Sequence, residues 1–283
     1  MSVSIKEIND LRKITGAGLM NCKKALLESE GDIKKAIEYL RKNGIKVANK
    51  RIDCVNNEGC VLADVNKTCD FGAIVSVFCE TDFVAKNEII QTFLKNVLNI
   101  AINKKVEDLE VLINEKYEDY SNKERNDNNI TVKDRLVDII GVLGEKIELK
   151  YTFLSGENIG FYNHFNNKIS VLLEVKEYNS SNTEILKNIA MQIAAMNPIE
   201  VKREDVSAEI VNREFEIAKE LSKEAKTAEI AEKMAKGKLE KFFKEKVLLE
   251  QPFIFDEKKS VLDYIKENGN FEVLRFKKVS IEK

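Results

Sequence analysis

Along the first forty residues the apolar positions recur every three or four places, which is the period of a helix buried on one face. Ser4-Ile5-Lys6-Glu7 has the form of a capping box, and Ile5, Ile8 and Leu11 follow on one side. Thr15-Gly16-Ala17-Gly18 interrupts this helix, because glycine enters backbone conformations that other residues avoid. Cys22, Ala25 and Leu26 mark a second helix that stops at Gly31. Asp32 is placed to cap a third, with Ile33, Ala36, Ile37 and Leu40 inward and an end at Asn43-Gly44. A module this short with so few large side chains is marginal alone, so it is expected to lean on the rest of the chain.

The period then changes. Residues 60–66 and 72–79 read as two strands joined by Asn66-Lys67-Thr68, the second a half-buried strand through Ile74–Cys79. A helix is predicted over 83–102, with Ile89, Phe93, Val97 and Ile100 as its apolar stripe. Residues 103–130 are acidic and end in the polar tract 121–129, read as a loop. Thr131 can cap a helix to about residue 140, and Lys146–Phe153 alternates as a strand with one wet face. Residues 159–175 then form a hairpin with Asn166-Asn167 near its turn, followed by a helix over 183–196. This hairpin-then-helix order repeats that of residues 59–102, and Ser76-Val77 with Glu80 parallels Ser170-Val171 with Glu174. Two long charged helices, 208–225 and 228–245, could pair Val211, Phe215, Ala218 and Leu221 with Ala231, Met234, Leu239 and Phe242 across a break at Lys226-Thr227. From Gln251-Pro252-Phe253 a strand, a short helix at 260–268 and a last strand at 271–276 complete the chain.

These patterns predict an α+β multidomain protein. A three-helix module spans 1–45, a linker 46–58, and a first core subdomain 59–140. A second core subdomain spans 141–206 with 247–283, and an antiparallel helical hairpin is inserted at 207–246. The narrow apolar seam of that hairpin suits a projecting arm or a self-association surface.

Composition narrows the chemistry. A third of the 283 residues are charged, yet the net charge is only −2, without the broad positive field of a nucleic-acid binder. No apolar run approaches a membrane span, and MSVSIKEIND lacks the form of a secretory signal. Five cysteines in a large chain fit a reduced, cytoplasmic setting; Cys54, Cys60, Cys69 and Cys79 contain no C-x-x-C pair for zinc. No P-loop occurs, and Gly16-Ala17-Gly18 lacks the third glycine and the preceding strand of a dinucleotide fingerprint. Catalysis through a histidine would have to use His164, the only one, near a turn where a surface or interface role is the plainer reading. Binding, without a cofactor or metal of its own, is therefore the expected mode of action.

The stretch CETDFVAKNE, Cys79–Glu88, poses the sharpest question. Phe83 stands at a strand-to-helix corner, where a large ring is either tucked into the core or held outward. The corresponding stretch after Glu174 has no similar sequence, which tilts the reading toward a special role for Thr81-Asp82-Phe83. Asp82 can cap the following helix, hold a polar contact, or do both.

LRKITGAGLMNCKKALLESEGDIKKAIEYLRKNG and ETDFVAKNE, with GEKIELK, QIAAMNP, EDVSAEIV, EIAEKMAKGKLEKFF and QPF, resemble the bacterial elongation factor Ts family over nearly the whole chain. That resemblance implies a guanine-nucleotide exchange factor, not an enzyme, whose partner is elongation factor Tu, GDP-bound and nucleotide-free, with no direct nucleic-acid or membrane contact. It implies a ubiquitin-associated-like N-terminal module, a core of two related subdomains with antiparallel sheets, and an inserted coiled coil. Thr81, Asp82, Phe83 and Val84 fall on the family motif that enters the partner's nucleotide-binding domain and dislodges Mg²⁺. Docking is carried to Leu11, Thr15, Gly16, Ala17, Gly18, Leu19 and Met20, and to His164 in the second hairpin. Asn21 and the turn 166–170 depart from the family pattern, and the chain stops soon after Arg275 compared with longer members.

Overall fold

The computed structural model describes residues 3–51, 53–120, 130–178, 183–221, 228–269 and 271–281; the polar tract 121–129 and the break at Lys226-Thr227 lie outside them. Helices α1 (Ile5–Thr15), α2 (Leu19–Glu28) and α3 (Ile33–Lys50) form the N-terminal module. Ser4 caps α1 through a reciprocal pair with Glu7, and Gly16, at φ 74°, ends it in the left-handed region. Leu11, Cys22, Ala25, Leu26 and Ala36 close a small core, onto which Val142 of the main body also packs.

The third helix does not end at Gly44. It runs six residues further, to Lys50, and crosses α7 (Val132–Leu143). A Cβ on Gly44 would lie 2.6 Å from the Val137 carbonyl oxygen, and one on Gly141 3.0 Å from the Gly44 Cα. Glycine is thus required at 44 for close approach of two backbones, not to stop the helix. Arg41 and Asp138 pair at 3.0 Å beside this crossing, so the module leans on the main body by packing and by charge.

The main body is two antiparallel three-stranded sheets packed face to face. The first has the order β1 (Glu58–Val65), β2 (Phe71–Cys79), β3 (Ile147–Ser155); the second β4 (Asn158–Asn163), β5 (Ile169–Lys176), β8 (Glu272–Ser280). Val61, Ala63, Ile74, Leu154, Ile159 and Leu172 fill the space between them. The outer face of the first sheet carries α5 (Glu88–Lys104), through Phe93, Val97 and Ile100; that of the second carries α8 (Thr183–Met196), through Ile185, Ile189 and Ile193.

Three expectations change here. β2 is covered on both faces, since Ala73, Val75 and Val77 meet α5 while Ile74 meets the second sheet; no wet face is left. β3 completes the first sheet by pairing with β2 from Phe71↔Ser155 to Cys79↔Ile147, so the first half reaches past the expected boundary at residue 141. The helix predicted over 83–102 is two: a single turn, α4 (Asp82–Ala85), and then α5, started afresh by the Asn87 side chain accepting the Ile89 N–H. A short helix, α6 (Leu109–Asn114), capped by Asp108, lies in the acidic stretch for which no element was predicted.

Helices α9 (Ala208–Glu220) and α10 (Ala228–Lys246) pack on each other beyond a base of Val206, Phe243 and Val247. Ala218 and Ala235 are buried, whereas Leu221 and Met234, expected to face inward, are exposed. In α10 the seam passes through Ala235, one step of ~100° beyond Met234, and on to Leu239 and Phe242, which keep the expected face. Arg203 fastens α10 to the body, bridging Glu240 at 2.9 Å and Glu250 at 2.6 Å with its guanidinium over the Phe243 ring. A two-stranded β6 (Pro252–Phe253) and β7 (Asp256–Ser260) and α11 (Val261–Glu267) lead into β8.

Candidate interaction site

At the end of β2 the chain turns sharply. Thr81 is extended, at φ −125° and ψ 155°, and its hydroxyl oxygen accepts the Val84 N–H; Thr81, rather than Asp82, is therefore the helix cap. Asp82 instead pairs with Lys86 one turn on, at 2.9 Å, and that cation holds its carboxyl below the usual range. Val84 and Ala85 face the core. A single turn that commits two adjacent residues inward has its preceding residue on the opposite side, and Phe83 is 82% exposed.

The N-terminal loop lies on the same side. A Cβ on Gly16 would sit 4.0 Å from Cδ1 of Ile89, at the start of α5. Within the loop, the Thr15 hydroxyl donates to the Leu11 carbonyl at 2.8 Å and accepts the Ala17 N–H at 3.2 Å. Leu11 and Ala17 are buried, so their side chains support the loop from beneath; Leu19 and Met20 are its exposed apolar surface.

The third segment is the β4–β5 turn. His164 takes a 2.9 Å hydrogen bond between its Nδ1 and the Tyr162 hydroxyl, and its ring lies 4.5 Å from that of Phe165. Phe165 is 89% exposed, the most exposed large apolar side chain among the described residues. A cavity of about 180 Å³ joins this turn to the corner, with Asn166 and Lys168 on one wall and Ala85 and Lys86 on the other. The three stretches thus converge on one side of the molecule. Phe165 is the surface residue that sequence reasoning passed over. Its signal was a large aromatic in a two-asparagine turn, where no strand face exists to bury it.

Covalent chemistry finds little support. Burial pushes the Cys79 thiol up to about 12, with the Glu145 charge adding to the effect, and it donates to the Thr81 carbonyl at 3.2 Å. Burial likewise raises Cys60 to about 11. Among the described residues no group of three or more His, Cys, Asp or Glu could hold a metal ion, and no helix is long and apolar enough to cross a membrane.

The family model for elongation factor Ts matches residues 80–283, beginning at the corner itself. Elongation factor Ts of Christiangramia forsetii is 42% identical over 286 residues, covering 99% of this chain and 98% of the relative. The chain belongs to the elongation factor Ts family. The Amoebophilus asiaticus elongation factor Ts is 39% identical and covers 99% of both chains; that of Aquifex aeolicus is 39% identical, covering 98% of this chain and 97% of its own. As an elongation factor Ts family member the protein is a translation elongation factor.

Proposed function

We propose that the protein binds elongation factor Tu in its GDP form and speeds GDP release by stabilising the nucleotide-free state, so that GTP can follow. The observation that carries this reading is the outward Phe83 on a corner whose neighbours are firmly held. An exchange factor breaks no covalent bond; linkage requires that nucleotide and factor weaken each other's binding by the same amount. In this reading Thr81–Val84 enter the partner's nucleotide-binding domain and displace Mg²⁺, with Phe83 as the wedge and Asp82 as a polar contact beside it. Leu19 and Met20 dock on the same domain, carried on the Thr15–Gly18 loop that Leu11 and Ala17 underpin, while His164 and Phe165 meet another part of the partner. A cytoplasmic site of action accompanies this role.

Magnitudes divide the labour. Burying one phenyl ring contributes ~1.5–3 kcal/mol, and each tenfold in release takes ~1.4 kcal/mol. Phe83 therefore accounts for about one to two decades, and loss of the charge-neutralising Mg²⁺ supplies more. Release of a fluorescent GDP from elongation factor Tu, followed at varied Mg²⁺, tests this. Phe83→Ala is expected to slow stimulated release by about 10- to 100-fold, with the fold intact and with the deficit smaller when Mg²⁺ is already scarce. Unchanged stimulation by the folded variant would sink the proposal.

A further inference from the structure

β2 and β3 pair as far as Cys79 opposite Ile147, and there the ladder ends. Beyond it the two chains continue to hold each other by side chains. Glu80 Oε1 accepts the Lys146 backbone N–H at 2.7 Å, and Glu145 Oε2 accepts the Thr81 backbone N–H at 3.1 Å. Each chain supplies a carboxylate for an N–H of the other. Glu145 Oε1 also accepts the Thr81 hydroxyl proton at 2.7 Å, while that hydroxyl oxygen receives the Val84 N–H at 3.4 Å as the cap of α4. Glu80 is gripped from the far side by Arg51 Nη1, at 2.8 and 2.7 Å to its two oxygens.

A single helical turn cannot hold its own direction, since one turn makes too few bonds to offset the ordering of its backbone. Val84 and Ala85 fix how deep α4 sits but lie only on its inner side. The rotation of the turn is set at Thr81, and there a charged acceptor takes two protons at once, the strong kind of hydrogen bond. With its proton committed to Glu145, the hydroxyl has a lone pair free for Val84 N–H. The cap of α4 and the strap to residue 145 are thus one arrangement.

We propose that Glu145 is a positioning residue for nucleotide exchange: it holds Thr81 by N–H and hydroxyl together and so fixes the direction in which Phe83 meets the partner. The inference rests on the reading of Phe83 given above. Its signature separates from docking, because Leu19, Met20 and Phe165 stand on other segments and do not depend on Glu145.

The test uses the full chain with Glu145→Gln, which keeps the size of the side chain but not two acceptor oxygens. GDP release from elongation factor Tu at saturating factor is expected to slow about tenfold, the equivalent of ~1.4 kcal/mol. The half-saturating concentration is expected to move less than about twofold, the pattern of an interaction that matters after docking. Amide hydrogen exchange at Thr81 and Val84 should accelerate while that in α2 stays unchanged. Thr81→Val loses donor and cap together and should be slow as well. A wild-type maximal rate in Glu145→Gln beside a slow Phe83→Ala overturns the strap and leaves the Phe83 reading standing. A normal rate in Phe83→Ala overturns both. A change confined to the half-saturating concentration also overturns the proposal, since it makes Glu145 a docking residue.

Discussion

In the first half of the core the hairpin β1–β2 is followed by α5; in the second the hairpin β4–β5 is followed by α8, and β2 and β5 are each the middle strand of three. Ser76 and Ser170 occupy matching places, both buried, and a glutamate stands four residues beyond each. There the halves part. Glu174 lies within β5, buried and paired with Arg275 of β8 at 2.6 Å, and the ladder continues through Val175↔Val273 and Lys176↔Glu272. Glu80 lies just past β2, and the two residues that would have continued the strand are Thr81 and Asp82. The same carboxylate position extends a sheet in one half and ends it in the other. A strand stopped three residues early, with the Thr81 N–H met by the Glu145 side chain in place of a ladder partner, is what turns Phe83 outward.

The comparison can be broken first on the side of the second sheet. Glu174 is almost wholly buried, and removing its cation leaves a buried charge uncompensated. Arg275→Met is expected to lower the unfolding free energy by about 2 kcal/mol, less than for a fully buried pair because Arg275 is half exposed. Urea titration reads this, and GDP release by the folded variant should stay at the wild-type rate. A smaller effect is expected in the first sheet. Arg51→Met should cost less in the same titration, since Glu80 is less deeply buried than Glu174 and keeps the Lys146 N–H, yet should slow release by loosening Glu80. If the two variants exchange these phenotypes, the contrast between the halves is wrong.

The smallest effect lies in pH. The Lys146 N–H, and after it Arg51, hold the Glu80 carboxyl below its ordinary 4.5. A carboxyl lowered by folding contributes stability in full above its unfolded value and loses it as pH falls through the lowered one. The difference in urea midpoint between wild type and Glu80→Gln should therefore be constant above pH 4.5 and shrink below it. A difference that grows on acidification would contradict the pairing.

Where a residue's neighbours in sequence decide its environment, the pattern of the chain was informative. The Ser4 and Thr131 capping boxes, the α5 stripe, the β4–β5 hairpin and the return of a final strand all follow from local period and turn chemistry. What escaped depends on distant partners. Glycine as a stop and glycine as a point of close approach look alike in sequence, and only α7 distinguishes them at Gly44. Alternation in β2 showed one buried face, but the second face is buried by a sheet whose strands begin at residue 158. The corner is too short to display a period, so the residues alone favoured a core place for Phe83, and family resemblance pointed it outward. Phe165 had neither period nor motif to mark it.

The crossing of α3 and α7 has a consequence for which sequences this fold can accept. At Gly44 and Gly141 only hydrogen atoms separate two backbones, and a methyl group at either position must push the helices apart. Arg41 and Asp138, one turn away, are tied across the same seam and resist that separation. A side chain at position 44 or at position 141 therefore meets the same obstacle, the backbone of the other helix. Two sites nearly a hundred residues apart in the chain thus share one steric limit.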